Sequence, residues 1–307
     1  MHGRPTAFFL IFLGFLWLAP SVVQSTDGSA GEILEELDRL HFHDRNEEIL
    51  RIIDSHQSRT SVDRGPLLWR QARARVSKAE LSVWEGTMSE EEAIAFLEGA
   101  EEMADEAIRL LPGEAEPRFW RAAATGLRGL MRGVLNSLFL ASDVRDHAVE
   151  AIERDQSLAE GYYLLGQVYR ELPGWPISFG NNDYAVSLSR RSIALYEEKR
   201  ATGEVPVDYH DHYIQLAEAL WNRNNSMARR DRRRNSMVSD FREASTAFDR
   251  GRYFEGAIGL PRRSDREEAL EVLREVVERL SSIPDSERRV RHRMDLDEAL
   301  TLLADWE

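Results

Sequence analysis

Four stretches of this chain carry one helical pattern, and a chain with so many half-apolar helices can bury them only against one another. In each, an aromatic residue is followed at +3, +4 and +7 by residues suited to a single packed helix face. They are Trp69, Ala72, Arg73, Val76; Trp120, Ala123, Ala124, Leu127; Tyr162, Leu165, Gly166, Tyr169; and Tyr213, Leu216, Ala217, Leu220. Only Arg73 departs, at the one position where a small residue is wanted. Small residues at +4 let a neighbouring helix approach, while the aromatics fill the space beside it. Each stretch precedes a second helical segment with small residues at spaced positions: Ala100, Ala104 and Ala107; Ala148 and Ala151; Ala185 and Ser192; Ala244 and Ala247. The unit is a helix–turn–helix.

The pattern resembles the tetratricopeptide repeat (TPR), whose first helix carries an aromatic, then Leu-Gly, then Tyr at these offsets. "AIERDQSLAEGYYLLGQVY" matches the usual junction, with Gln156 where a proline commonly sits, and "AIRLLPGEAEPRFWRAAA" keeps its proline, Pro112. The anchors lie 51, 42 and 51 residues apart, against a usual period of about 34. Each unit therefore carries an insertion or longer helices. At the ends, "EILEELDRL" and "RNEEILRIIDSH" read as a degenerate first pair, the second helix capped by Asp44 with Glu47. Ser264 with Glu267 forms a capping box opening "REEALEVLREVVERL", and "MDLDEALTLLADW" closes the chain. Strand signals are nearly absent. The expected fold is all-α, a TPR-like helix-turn-helix solenoid of about six helix pairs over 32–307, with repeat cores near 65–112, 117–156, 159–199 and 207–249 and capping helices at both ends.

Residues 171–185, "ELPGWPISFGNNDYA", interrupt the third unit, and "VDYHDHYIQLAEALW" follows some twenty residues later. Together they resemble a group of exported bacterial repeat proteins, the T component of TRAP transporters. There a Pro-Gly-Trp-Pro-x-Ser-Phe-Gly-Asp segment precedes one helix, and an Asp-Tyr-Pro-Glu-Asn-His segment leads into a Leu-Ala-Glu-Ala-Leu helix. The similarity spans about 60–220 and is close over 159–220. This chain departs from it at Asn181 and Asn182, which stand before Asp183, at His210, which replaces a proline, and in lacking the lipoprotein cysteine. The resemblance implies a periplasmic subunit that binds a small ligand, docks with a solute-binding protein and oligomerises.

The chain opens with His2 and Arg4, then "AFFLIFLGFLWLAP", with small residues at Val23 and Ser25 for cleavage before Thr26. The expectation is a signal peptide over 1–25 and a short linker over 26–31; the alternative is an uncleaved membrane anchor, although Pro20 interrupts the run. With no cysteine, neither disulfides nor acylation are available. An exported protein, periplasmic or secreted, follows, with no stable membrane span after cleavage. The net charge of −14, from 54 acidic against 40 basic residues, argues against nucleic acid, which demands a basic face.

Catalytic signatures are missing: no P-loop, dinucleotide fingerprint, HExxH, G-x-S-x-G or cysteine nucleophile is present. No enzyme and no cofactor are expected. Asp208, His210, Asp211 and His212 form the densest polar cluster, but the two histidines share a side only in extended chain, and the cluster reads as a helix cap rather than a metal site. "HFHD", at 41–44, reads the same way. Candidate partner contacts are Tyr163, Gln167 and Arg170, off the packed stripe of the third unit. Trp175 and Phe179 are candidates in the 171–185 loop, with the rival reading that both plug that loop and that Asn182 or Asp183 caps the next helix. Arg229, Arg230, Arg232, Arg233 and Arg234 form the one basic block, read as a solvated loop or a docking patch for an acidic surface. The expected function is a non-catalytic interaction scaffold for an envelope protein, with the T-component role as the alternative.

Overall fold

The computed structural model describes residues 28–56 and 63–307. The signal and cleavage site expected over 1–25 lie outside the described residues. Among the described residues there are thirteen α-helices and no strands, and the helices pack in consecutive pairs as a helical solenoid. The first helix, α1 (Gly28–Phe42), begins inside the stretch expected to be a linker; it packs on α2 (Asn46–His56). Then come the pairs α3 (Arg64–Trp84) with α4 (Glu90–Leu110), α5 (Glu116–Met131) with α6 (Val134–Arg154), and α7 (Ala159–Glu171) with α8 (Asn182–Thr202).

The local signals act as physics requires. Ser89 Oγ accepts from Glu92 N while the Glu92 carboxylate accepts from Ser89 N, so α4 starts with a closed capping box. Its seam against α3 is Ala93, Leu97, Ala100, Ala104 and Ala107, all fully buried. Gly166 is required by close approach: a Cβ there would lie 2.7 Å from Gln215 Nε2 and 2.9 Å from Ser189 Oγ. Arg73, the misfit of the first unit, is buried in a pair with Asp38 of α1, at 2.7 Å, where Arg70 also binds at 2.6 Å. Despite burial, the two guanidiniums hold Asp38 below the usual carboxylate range. The position takes a cation because Asp38 and the Leu37 carbonyl of α1 lie opposite it.

The fourth unit is assembled differently from the expectation. Helix α9 (Asp211–Arg223) packs on α12 (Asp265–Ser282), not on the stretch holding Ala244 and Ala247. Between them are inserted α10 (Met227–Glu243), α11 (Ala247–Arg252) and a 3-10 turn at Phe254–Ala257, which lean on α6 and α8. Ser264 and Glu267 do close their capping box at the start of α12. Asp44 caps nothing: it has left-handed φ of 58°, and α2 begins two residues later. The last helix, α13 (Val290–Trp306), packs on α12 and reaches α3 and α9.

Candidate interaction site

Tyr163, Gln167 and Arg170 do lie on the face built by the first helices of the units, but that face is covered. They are 2%, 3% and 7% exposed. Helix α13 provides the cover. Met294 and Val290 pack with Leu81 and Trp84 of α3 and with Tyr163 of α7. Arg291, fully buried, lies 3.5 Å from Glu80 Oε2 and 3.8 Å from Asp44 Oδ1. Arg289 donates to the carbonyls of Phe42 (2.9 Å) and Asp208 (2.8 Å). Arg170 pairs with Glu171 and with Glu218 of α9. The expectation that these three residues meet a partner directly is thus corrected: the chain's own C-terminal helix meets Tyr163, and Arg170 is spent on internal carboxylates.

Burial dominates the electrostatics under α13. It pushes the Glu80 carboxyl up to about 8 even with Arg291 beside it, and Glu298 up to about 7. Asp295, wholly buried, is raised well above its ordinary value by burial and then by the charge of Asp211. Against burial, Glu80, Asp44 and Asp211 raise Arg291. No hydrogen-bond partner reaches either Asp295 oxygen, Glu80 Oε1 or Asp211 Oδ2. None of these residues was singled out in the sequence for this role; Glu80 stands in polar company in "VSKAELS", between Lys78 and Ser82, with nothing local to mark it as buried.

The interrupting loop splits the two aromatics. Phe179 is a plug: its ring meets Tyr169 edge-on at 5.4 Å under the Arg145 guanidinium. Trp175 is no plug; it is 89% exposed and its neighbour Ile177 75%. The loop that holds them is tightly bonded. Gly180 N donates to Pro173 O (3.1 Å), Asn181 N to Tyr169 O (2.9 Å) and Ile177 N to Gly174 O (3.2 Å), and Trp175–Pro176 is cis. The cap of α8 is Asn181, whose Oδ1 accepts from Asp183 N and Tyr184 N, rather than Asn182 or Asp183.

The arginine block is a helix, α10, not a loop. Arg230 is buried at 3.1 Å from Asp265 and paired with Glu268, so it cannot contact a partner. Arg233 pairs with Asp183 at 2.7 Å, and Arg234 donates to Ile258 O. Arg229 and Arg232 are exposed and line a polar groove with Asn225 and Ser236.

His212 is buried, with Nδ1 2.7 Å from Ser192 Oγ and its ring stacked on Tyr196. His210 faces His292, and burial lowers each to about 4. Among the described residues no group of three or more His, Asp or Glu is arranged to hold a metal ion. An apolar cleft between α5, α6 and α7, lined by Gly129, Leu140, Val144 and Val168, offers about 50 Å³. That cleft falls below the roughly 300–1,000 Å³ of small-molecule sites, whereas a more polar groove lined by Tyr196, Asp208, His210 and Arg279 offers about 650 Å³.

A family model described as Regulator of microtubule dynamics protein 1-3 matches residues 33–172, which is under half of the chain and runs from α1 to the end of α7. Among curated proteins, none matches. The family match overturns the resemblance to TPR proteins and to the T component of TRAP transporters. An aromatic with small residues a turn later is what any close helix pair requires, so the pattern reports packing and not descent. The exported location, periplasmic or secreted, expected from the N-terminal run is corrected by the same match, whose description places its namesakes with microtubules. Among the described residues no helix is long and apolar enough to cross a membrane.

Proposed function

We propose that this chain is a non-catalytic helical scaffold that works by docking a protein partner through the loop between α7 and α8. The observation that carries this reading is Trp175. A large aromatic held in water by a bonded, proline-framed loop loses the gain of burial, and such rigid aromatics anchor interfaces at little entropic cost. The description of the matched family makes the microtubule the first partner to test.

Co-sedimentation with polymerised tubulin tests it, using the native chain and Trp175→Ala. Native chain should pellet, and the variant should bind about 30-fold more weakly, as expected for an anchor residue. Equal pelleting of both would remove the loop from the interface. Absence of both from the pellet would remove the microtubule.

A further inference from the structure

Three arginines of the α10 block are spent inside the molecule: Arg230 on Asp265 and Glu268, Arg233 on Asp183, and Arg234 on the carbonyl of Ile258. Arg229 and Arg232 are not. Both are exposed, and among the described residues neither guanidinium has an ion pair or a hydrogen bond. The helix gains nothing from them locally. Like charges three residues apart repel, and both lie in the first two turns, at the positive end of the helix dipole. The first turn holds no acidic residue, and Ser226 makes no side-chain cap bond to it.

Beside them lies a groove of about 370 Å³, lined by Asp183, Asn225, Arg229, Arg232, Arg233 and Ser236. It sets three guanidiniums against one carboxylate, in a chain whose net charge is −14. Asn225 is 3% exposed, and its backbone N and O are both tied to Asp265. Among the described residues nothing hydrogen-bonds its side-chain amide. A polar group so deeply buried is ordinarily paired; this one is left to whatever enters the groove.

We propose that this groove takes an acidic peptide segment of the partner, with Arg229 and Arg232 binding its carboxylates and the Asn225 amide donating beside them. The two arginines stand about 4.5 Å apart along the helix axis, a spacing that suits successive acidic side chains better than a single ion. Arg233 ties the groove to Asp183, in the first turn of α8, and Asn181 caps that turn at the end of the Trp175 loop. Groove and loop therefore meet at one helix end. This inference deepens the reading of the α7–α8 loop as a docking element, and rests on it.

Fluorescence anisotropy of a labelled hexaglutamate peptide tests it on the full chain. The peptide should bind, more weakly as salt rises. Arg229→Glu with Arg232→Glu should weaken binding by at least about tenfold. Arg51→Glu with Arg109→Glu, an equal change of charge at exposed positions of α2 and α4, should leave it unchanged. No uptake by the native chain, or an equal loss in both double variants, would overturn the inference. Binding of inorganic phosphate without the peptide would assign the groove to a small anion and overturn it too. In co-sedimentation with tubulin polymer, the Arg229 and Arg232 variant should lose pelleting as Trp175→Ala does. If it pellets like the native chain while Trp175→Ala does not, the groove is out and the loop reading stands. Peptide uptake through the two arginines with nothing pelleted would keep the groove and remove the microtubule.

Discussion

The indole of Trp306 lies flat on that of Trp221, 4.3 Å away and 3° from parallel, fastening the last turn of the chain to the fourth unit. Beside them, Arg266 covers the Trp221 ring at 4.4 Å. Such a pair contributes about 0.5–1.5 kcal/mol beyond the area it buries. Trp306→Ala should therefore fray the end of α13 while the solenoid stays folded. Amide exchange should quicken over the last turns of α13 and remain unchanged in α3 to α8.

A second prediction concerns the ion network that inserts α10 into the fold. Arg223 forks both oxygens of Asp265, with Nε at 2.8 Å and Nη2 at 2.9 Å. Arg230 reaches the same carboxylate, and Glu255 takes Arg190 and Arg223. Asp265 is fully buried, and its Oδ2 also accepts from Asn225 N. Asp265→Ala leaves two buried guanidiniums short of charge and should cost about 3–5 kcal/mol. Urea unfolding measures this as a lower midpoint at unchanged slope.

The pH dependence of α13 docking has a definite sign. Glu80, Glu298 and Asp295 all hold their protons more tightly in the folded chain than unfolded. Their contribution is thus full below about pH 4.5. It is lost as pH rises through about 7 for Glu298 and about 8 for Glu80. The charges facing them, besides one another, are Arg170 and Glu171 from α7, Asp211 from α9, Arg291 and Asp297 from α13, and Arg289 just before it. Protection of α13 amides, corrected for intrinsic exchange, should be lower at pH 8.5 than at pH 5.5, pH values roughly bracketing these transitions. Glu80→Gln should flatten the part of that dependence near pH 8.

The α7–α8 loop should separate stability from binding. Trp175→Ala removes a side chain with almost no packing and should alter stability by under about 0.5 kcal/mol. Gly180→Ala is different: its Cβ would fall 1.8 Å from Leu172 O, so the loop must rearrange and Trp175 must move. Both variants should lose partner binding in the same assay, but only Gly180→Ala should lower the melting temperature.

What the sequence determined by itself was the helices and most of their partners. The capping boxes at Ser89 and Ser264 and the small-residue seam of α4 act over three to fifteen residues, and such local signals survive any surroundings. Tertiary structure decided three other things. It paired α9 with α12 across an insertion of about forty residues, because loop length adds little to the cost of closure. It buried Arg230, which reads as surface in "ARRDRRRNS" until Asp265 and Glu268 arrive from α12. And it laid α13 over Tyr163, turning an expected contact surface into an interior. An amphipathic pattern tells how much of a helix must leave water; it carries no label for which helix, from this chain or another, will cover it.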